Sequence, residues 1–484
     1  MTTRRTLLLG TMAGALLMAA PATGDPQRIR NFYVAATGND SNDGLTPATA
    51  WLTTAKVNAV TFLPGDCINF RCGDTFYGPL SPAALSSVSV TPNTVAAYGG
   101  YINNLPTLSM YKIVNAGAWT NVGGGVWSAN VNDLGSITGN IYSLGAAGAN
   151  IGHINIDGVI YSAKQSSQGA LSNDWDFYSD QANTLYVKSV SNPGSRATVF
   201  RCAPQDTSFT SGPNWTLRNL IFEGCGGNAL AWTAASNIDC QWCWVRSTGG
   251  AYITGTTRYG NGAQFFPTSA NCIVSNCLFG DIYDVAATCQ GYPVINAGDG
   301  FFNVAMNDNI SYRCSQSFEA WDQYGATPGS GTPAAGSGFS SVKSLRWRAF
   351  DMQQGPLVGP GHIGSVSAGV LLGYHFEAPL TDIHVSLTSM SNCAGLFLAF
   401  PFYQTDTFPA AYVVDASALT MQSAQLIMSG YSQTATQFAA WQTSSGLAGT
   451  STMTLNNSPS ATPDAVIQGL WYASRPPIRN LRLN

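Results

Sequence analysis

The sequence predicts an all-β solenoid, in which short coils of chain stack along one axis. One segment recurs four times, as Trp215–Phe222, Ile238–Val245, Cys272–Phe279 and Ala305–Tyr312. Each copy has an apolar run, a polar break and a second apolar run with period-two alternation. The break is occupied by Asn219, Trp242, Asn276 and Asn309, at spacings of 23, 34 and 33 residues. A unit that recurs in this way is typical of stacked coils, and no helical periodicity competes with it.

The alternation indicates which side chains face the core, because successive strand residues point to opposite sides. Two rows are expected to point inward, namely Leu220, Cys243, Cys277 and Ile310, and then Phe222, Val245, Phe279 and Tyr312. The row between them is expected to point outward, with Trp244 exposed, and it comprises Ile221, Trp244, Leu278 and Ser311. Asn suits the break, since it tolerates the left-handed backbone of a tight turn.

On these repeats the chain resembles the right-handed parallel β-helix proteins of the pectate-lyase-like superfamily, over about residues 31–390. Residues 31–80 also resemble the leading segment of many secreted and phage β-helix proteins, with a strand, a loop, a short helix and the first coil. A helix at about Thr49–Val60 is expected to cover the open end of the solenoid, which would otherwise expose apolar core and unpaired strand edges. The carboxylates of Asp40 and Asp43 fit turn chemistry better than a calcium site.

Four parts are predicted along the chain: a signal peptide at 1–22, a cap with the first coil at 23–80, β-helix coils at 81–397, and late coils or a C-terminal cap at 398–484. Residues 81–210 are interpreted as early coils with an inserted β subregion. In the last part, 412–429 and 452–455 are expected to form strands.

The N-terminal segment predicts export. Arg4 and Arg5 precede an apolar run and a small-residue exit at Ala22, which is the pattern of a secretory signal, and the arginine pair resembles a twin-arginine signal. We therefore expect a secreted or periplasmic protein with no membrane span in the mature chain. Removing residues 1–22 lowers the basic residues from 21 to 19 against 25 acidic ones, a net charge of −6, which argues against a nucleic-acid partner.

Two of the spacings are longer than the first by about ten residues. The extra residues are expected after the third strand of each coil, around Gly255–Ala270 and Thr288–Gly300, and Gly325–Ser340 continues the series. Loops inserted at one corner of successive coils would stack into a wall beside the sheet. Such a wall turns a flat sheet into a groove for an extended polymer.

The 11 cysteines are expected to include a packed inward stack, with disulfides or a metal site as the alternatives. Cys243 and Cys277 share an inward row on the repeat alignment. Cys67 and Cys72 lie close enough in sequence to pair, and nothing in the sequence decides whether they do.

The best candidate chemistry lies in Gly298–Phe302 and Ser317–Asp322, which resemble the Asp-Gly-Phe motifs of calcium-dependent pectate lyases. The resemblance implies that Asp299, Glu319 and Asp322 are acidic site residues, with calcium as a candidate cofactor. The family's lysine after the motif is missing, so the nearest basic candidates for proton abstraction are Arg313 and Arg258. Arginine needs a strongly shifted environment to act as a base.

A hydrolase would use the same carboxylates, one protonated and one ionised. Glu319 and Asp322 are three residues apart and would point to opposite sides of a strand, so Asp299 is expected to pair with one of them. His362 lies in a Gly-His-Ile-Gly element that resembles, loosely, the Gly-His-Gly of β-helix polygalacturonases.

Three further residues are candidates for substrate binding. Trp244 and Trp321 offer faces for sugar stacking, with core packing as the alternative, and Arg258 offers a charge. Glu223 and Arg246 occupy equivalent places on adjacent coils and are expected to form an ion pair.

The function predicted from these features is cleavage of a polysaccharide by a lyase-like reaction or by hydrolysis. The alternatives are a non-catalytic carbohydrate-binding or adhesin-like β-helix and a phage tailspike-type depolymerase, because the fold alone does not separate these functions.

Overall fold

A computed structural model describes the chain at residues 29–83, 91–100, 103–130, 150–180, 184–254, 257–291, 297–322, 336–358, 370–371, 383–391, 396–397, 412–415, 420–422 and 463–475. Over these residues the chain forms the right-handed parallel β-helix that the sequence predicts. A complete coil contributes one strand to each of three faces, and each strand pairs in parallel with its equivalents in the coils above and below.

The first face is the most extensive. Its strands are Asn31–Val34, Cys67–Arg71, Asn93–Tyr98, Trp215–Arg218, Ile238–Gln241, Ser269–Ser275, Gly300–Asn307, Gly338–Phe350, Ile383–Ser391 and Tyr412–Asp415. The second face comprises Thr75–Tyr77, Thr107–Ser109, Ile221–Glu223, Trp244–Thr248, Leu278–Ile282, Ile310–Tyr312 and Thr420–Gln422. The long strands Gly338–Phe350 and Ile383–Ser391 pass through both of these faces.

The third face comprises Phe209–Thr210, Leu230–Trp232, Ala263–Phe265, Val285–Gly291 and Gln316–Asp322. Two short strands, Val370–Leu371 and Leu396–Phe397, pair with each other in parallel.

The corner between the first and second faces is a turn with a left-handed residue. Asn219, Trp242, Asn276 and Asp308 have φ values of 61°, 57°, 55° and 58°. The predicted turn is therefore confirmed in three coils. In the fourth, the prediction of Asn309 is wrong, because Asp308 holds the left-handed position.

This one-residue shift reverses the expected orientations in the fourth coil. Ile310 pairs with Leu278 and Ser311 with Phe279, so Ile310 and Tyr312 belong to the outward rows and Ser311 to an inward row. Asn309 takes the inward place next to the turn. Its buried amide is satisfied there, because it accepts from the Cys277 backbone N–H at 2.9 Å and donates to the Val274 carbonyl at 3.0 Å.

The inward rows form one core along the axis. Its thiols include Cys240, Cys243 and Cys277, all fully buried. Every cysteine in the described part of the chain is a free thiol, Cys67 and Cys72 included, so the predicted packed stack is confirmed. Within the same residues, no cluster of His, Cys, Asp and Glu has the arrangement of a metal site.

The N-terminal cap has a 3-10 turn at Pro47–Thr49 and a helix at Thr54–Asn58, which is shorter than the predicted helix. The helix begins where Thr53 caps it, since the Thr53 side chain accepts from the Lys56 N–H. Asp40 accepts from the backbone N–H groups of Leu52 and Thr53, which is the turn chemistry that the sequence favoured over calcium.

A separate β subregion is inserted between Thr107–Ser109 and Phe209–Thr210, and we call it the insert. Its strands pair antiparallel and enclose their own core: Lys112–Val114, Thr120–Gly123, Val126–Asn130, Ile154–Ile156, Val159–Tyr161, Phe177–Ser179, Thr184–Lys188 and Phe200–Cys202. It also contains the helix Pro193–Arg196 and 3-10 turns at Ala116–Ala118 and Gln168–Ala170.

A buried histidine joins the insert to the coils. The Nδ1 of His153 lies 3.0 Å from the Gly249 carbonyl, and its Nε2 lies 2.9 Å from the Tyr111 hydroxyl. The neutral tautomer that donates from Nδ1 and accepts at Nε2 satisfies both contacts. Burial lowers the pKa of His153 to about 4, so the ring is neutral at physiological pH.

A C-terminal helix, Asp464–Ala473, covers the outer side of the second face. Ile467 and Trp471 of this helix pack on Ile221, Trp244, Leu278 and Ile310. The prediction that Trp244 is exposed is therefore wrong: it faces outward, but the helix reduces its exposure to 7%. The strands found at Tyr412–Asp415 and Thr420–Gln422 lie within the predicted range 412–429, whereas 452–455 lies outside the described residues. Among the described residues, no helix is both long and apolar enough to cross a membrane.

Candidate functional site

The outer side of the third face carries a row of hydrogen-bonded amide side chains. This row, the amide ladder, consists of Asn228, Asn261, Gln264 and Gln290. The Gln264 Oε1 accepts from Asn228 at 2.7 Å and from Asn261 at 2.9 Å, and Asn261 also donates to the Gln290 Oε1 at 3.3 Å. The Thr288 hydroxyl donates to the same Gln290 oxygen. The ladder thus crosses three coils and makes a polar, pre-ordered floor.

Two coils of the amide ladder contain insertions next to their third strands. In the coil that contains Ala263–Phe265, the extra residues precede the third strand and include the antiparallel hairpin Ala251–Thr254 and Thr257–Tyr259. In the next coil they follow the third strand Val285–Gly291. The prediction that both insertions share one corner is therefore wrong. The two insertions therefore leave the third strands at opposite ends.

Glu319 lies on the third face, one coil beyond the last member of the amide ladder. It belongs to the third-face strand Gln316–Asp322 and pairs with Thr288 of the coil below. Its side chain is 8% exposed. Burial and the nearby carboxylate of Asp284 raise the pKa of Glu319 well above its ordinary value. The direction of this shift favours the protonated form of Glu319 in the folded chain.

Asp284 immediately precedes the third-face strand Val285–Gly291 and is also buried, at 5% exposure. Its backbone is fixed on two sides, because its N–H donates to the Gly260 carbonyl and its carbonyl accepts from the Gln316 N–H. Glu319 and Asp284 thus come from adjacent coils, and the register of the β-helix brings them together.

Asp299 occupies a turn between Gly298 and Gly300, directly before the first-face strand Gly300–Asn307. Its carboxylate accepts from the Thr268 hydroxyl at 3.3 Å, and its carbonyl accepts from the Gly338 N–H at 2.9 Å. It follows the third face in sequence and lies on the edge opposite the hairpin. A catalytic role for Asp299 stays a prediction.

Arg313 is part of an ion-pair cluster on the second-face side. It donates to Asp281 of the coil below, at 2.7 and 2.8 Å, and to Asp464 of the C-terminal helix. Burial opposes the charge, but the hydrogen bonds to these two carboxylates outweigh it and raise the pKa of Arg313. A role of Arg313 as a base stays a prediction, and its ion pairs oppose the loss of its proton.

Arg258 holds the insert to the hairpin. Its guanidinium donates to the carbonyls of Gly250, Gly152 and Ser162, at 2.6, 2.9 and 3.0 Å, and lies over the Tyr283 ring. The residue is 3% exposed. A substrate-binding role for Arg258 stays a prediction, and the contacts described for its guanidinium are with carbonyls and a ring of the protein itself.

The remaining candidates divide into two groups. Trp244 belongs to the covered second face, where the Arg246 guanidinium lies over its ring, and the predicted Glu223–Arg246 ion pair is confirmed at 2.8 Å. Trp321 and Asp322 close the strand that carries Glu319, with backbone partners Gln290 and Gly291, but their side chains lie outside the described part. His362 also lies outside it.

Sequence reasoning missed Asp284 and the amide ladder. Asp284 could have been found from the pairing of adjacent coils. Val285 pairs with Gln316, so Asp284 lies within a few residues of the position of Glu319 in the next coil. For the ladder, the signal is an amide residue near the start of successive third strands, at Asn228, Asn261 and Gln264.

Neither a protein-family model nor a curated protein sequence matches the chain. Solved structures with a similar architecture include a GH136 lacto-N-biosidase from Eubacterium ramulus, at 12% identity and a TM-score of 0.43, covering 82% of this chain and 56% of that one. A polygalacturonase from Erwinia carotovora has 10% identity and a TM-score of 0.35, covering 85% and 97%. The pectate lyase Pel9A has 10% identity and a TM-score of 0.36, covering 84% and 79%.

Proposed function

We propose that this protein is an exported glycoside hydrolase that cleaves a polysaccharide along its third face. Glu319 is the general acid, and Asp284 is the second carboxyl group. The observation that carries the proposal is that both carboxyl groups are buried on adjacent coils beside the amide ladder, with Asp284 near enough to raise the pKa of Glu319.

The proposed chemistry assigns different roles to the two groups. Glycoside hydrolysis needs one carboxylic acid to protonate the leaving oxygen and one carboxylate to activate water or to attack the sugar. Burial, with Asp284 nearby, raises the pKa of Glu319 and so favours the protonated form that a general acid needs. Asp284 is the candidate base or nucleophile.

The amide ladder supports a carbohydrate substrate. Its members offer both donors and acceptors, which match sugar hydroxyls. The ladder crosses three coils, but Asn228, Asn261 and Gln264 are buried, so Gln290 is the partly exposed member that a sugar can contact directly. Carboxylates at the end of this floor favour an uncharged polymer, since a uronate would be repelled by Asp284.

A lyase reaction is the second candidate, because Gly298–Phe302 resembles the motif of calcium-dependent pectate lyases. Such a reaction needs a base beside a uronate. Arg313 and Arg258, the two arginines nearest to the motif, are engaged with carboxylates and with backbone carbonyls. Hydrolysis therefore fits the described residues better than β-elimination.

The test is incubation of the protein with neutral and acidic polysaccharides, with and without calcium, while reducing ends and enoate absorbance are followed. We expect reducing ends without absorbance, no calcium requirement, and loss of cleavage of at least about a hundredfold in Glu319→Gln and in Asp284→Asn. Asp299→Asn is the matched comparison, because it tests the motif carboxylate on the opposite edge.

Three outcomes contradict the proposal. A rise in absorbance with the reducing ends would establish β-elimination. Wild-type rates in Glu319→Gln would remove that residue from the site. Glycan binding without any cleavage would establish a carbohydrate-binding protein.

A further inference from the structure

The insert presents two stacked tyrosines on the outer side of its antiparallel sheet. Tyr178 and Tyr186 are cross-strand partners, their ring centroids lie 5.9 Å apart, and their planes differ by 24°. Both are partly exposed, whereas the residues beside them in the strands, Phe177, Leu185 and Val187, are buried in the core of the insert. The two rings therefore stack on each other as one partly exposed aromatic pair.

A third tyrosine joins this surface to the coils. Tyr252 belongs to the hairpin that borders the third face, and its hydroxyl donates to the Gln165 carbonyl at 3.3 Å. The Gln165 backbone in turn pairs with the strand of Tyr178, because its N–H donates to the Phe177 carbonyl at 2.7 Å. We call Tyr178, Tyr186 and Tyr252 the tyrosine strip.

The position of Tyr252 is fixed by buried polar contacts. Its backbone carbonyl accepts from the Asn150 amide at 2.6 Å, and the Lys164 Nζ lies 4.2 Å from the centre of its ring. Lys164 also donates to the Asn150 side chain and to the Ile151 carbonyl. These contacts join the hairpin to the insert, so the strip is pre-ordered.

Hydrogen bonds and one close backbone contact lie between the strip and the start of the amide ladder. The Asn150 amide donates to the Gln205 Oε1 at 3.0 Å, and the Gln205 amide donates to the Tyr259 hydroxyl at 2.9 Å. Gly227 packs so tightly on Gln205 that an added Cβ would lie 2.1 Å from the Gln205 carbonyl oxygen. The next residue, Asn228, begins the amide ladder. The insert and the hairpin also leave the coils at the same corner, between the second and third faces.

We propose that the tyrosine strip is a distal binding surface for the polysaccharide that occupies the third face, several sugar units away from Glu319. Aromatic rings suit the apolar faces of pyranoses, and hydroxyls at the ring edges suit their polar rims. The inference rests on the proposed function, because it assigns to the strip the same polymer that the ladder binds. It predicts an enzyme that prefers long chains over short oligosaccharides.

The test measures binding apart from cleavage. Wild-type protein and Glu319→Gln are run in native gels that contain xylan, hydroxyethylcellulose or polygalacturonate, with a gel without polymer as the reference. The same gels carry Tyr178→Ala/Tyr186→Ala and the matched Tyr178→Phe/Tyr186→Phe, which keeps both ring faces. Thermal unfolding checks that each variant is folded.

We expect retardation by at least one neutral polymer, and a dissociation constant about tenfold higher in the double alanine variant. The double phenylalanine variant should stay within about threefold of wild type, since it retains the stacking faces. Tetrasaccharides that cannot reach from Glu319 to the insert should not distinguish the variants.

Several results overturn the inference. Equal retardation of the wild-type and double alanine proteins would exclude the strip from polymer binding, even if Glu319→Gln abolishes cleavage. The absence of retardation by all three polymers would do the same. A wild-type dimer in light scattering that the double alanine variant lacks would identify the strip as a contact between copies of this chain. Conversely, tyrosine-dependent binding without cleavage by wild type would refute the proposed hydrolysis and leave the binding surface standing.

Discussion

Trp471 of the C-terminal helix packs against Trp244 on the outer side of the second face, with ring centroids 6.3 Å apart. The Trp471 indole N–H also donates to the Asn276 carbonyl at 2.7 Å, and Asn276 is one of the left-handed corner residues. The Trp471 side chain thus covers part of the apolar outer surface of the second face and also donates to a backbone carbonyl at a corner between two strands.

Replacing Trp471 with alanine should destabilise the protein by about 3–5 kcal/mol, because the substitution removes a fully buried aromatic ring and leaves a cavity over Trp244. Thermal unfolding and tryptophan fluorescence measure the effect. Val466→Ala is the matched control on the exposed side of the same helix, and it should change stability by less than about 0.5 kcal/mol. An unchanged melting temperature in Trp471→Ala would show that the helix does not stabilise the coils.

Arg313→Ala should destabilise the protein by about 3–5 kcal/mol, since the substitution leaves Asp281 buried without its cation. Arg346→Ala is the comparison, because the Arg346–Asp308 pair also joins adjacent coils but is exposed, and its loss should cost less than about 1 kcal/mol. Chemical unfolding measures both. A loss of cleavage in Arg313→Ala with wild-type stability would instead indicate a catalytic arginine.

His153 should make the stability of the protein depend on pH. Its pKa is about 4 in the folded state, against an ordinary value of 6.5, so the unfolded chain binds the extra proton. The contribution of His153 to the free energy of unfolding is complete above pH 6.5. It is lost as the pH falls towards 4, and the total loss is about 3 kcal/mol. His153→Gln, compared with wild type in unfolding at pH 4.5 and pH 7, should lack this loss. An equal loss in both proteins would assign it to other groups.

Glu319 should have the opposite dependence. Its raised pKa favours the protonated form in the folded state. The contribution of Glu319 to the free energy of unfolding is therefore present below the ordinary pKa of a glutamate and is lost as the pH rises. Glu319→Gln cannot ionise and should therefore gain stability relative to wild type as the pH increases from 4 to 9. Unfolding at several pH values measures this difference. A constant difference would mean that Glu319 is not held protonated, and the general-acid role would fail with it.

The repeat in the sequence was sufficient to predict the fold and most of the core. Asn219, Trp242 and Asn276 mark the corner in three coils, and the inward rows follow from strand alternation. The fourth coil was shifted by one residue, because Asp308 and Asn309 both suit a left-handed corner and only the backbone pairing distinguishes them. An alternating pattern does not resolve such a choice between adjacent polar residues.

The outer side of the second face could not be predicted in the same way. Trp244 faces outward as the alternation requires, but whether an outward residue meets water depends on a helix more than 200 residues away in the chain. The pattern within one strand contains no information about that contact.

The sequence by itself determined the stacking of coils, because this follows from the local periodicity of the repeat. It favoured packed thiols over disulfides or a metal, and it offered Glu319 as a candidate acid through the resemblance of its segment to a known motif. The tertiary structure decided which carboxyl lies beside Glu319, which arginines are engaged elsewhere, and how the insert meets the third face. The physical reason is that these contacts join residues on different coils, and their distances depend on the exact register and on burial, which set the electrostatic energy of each group.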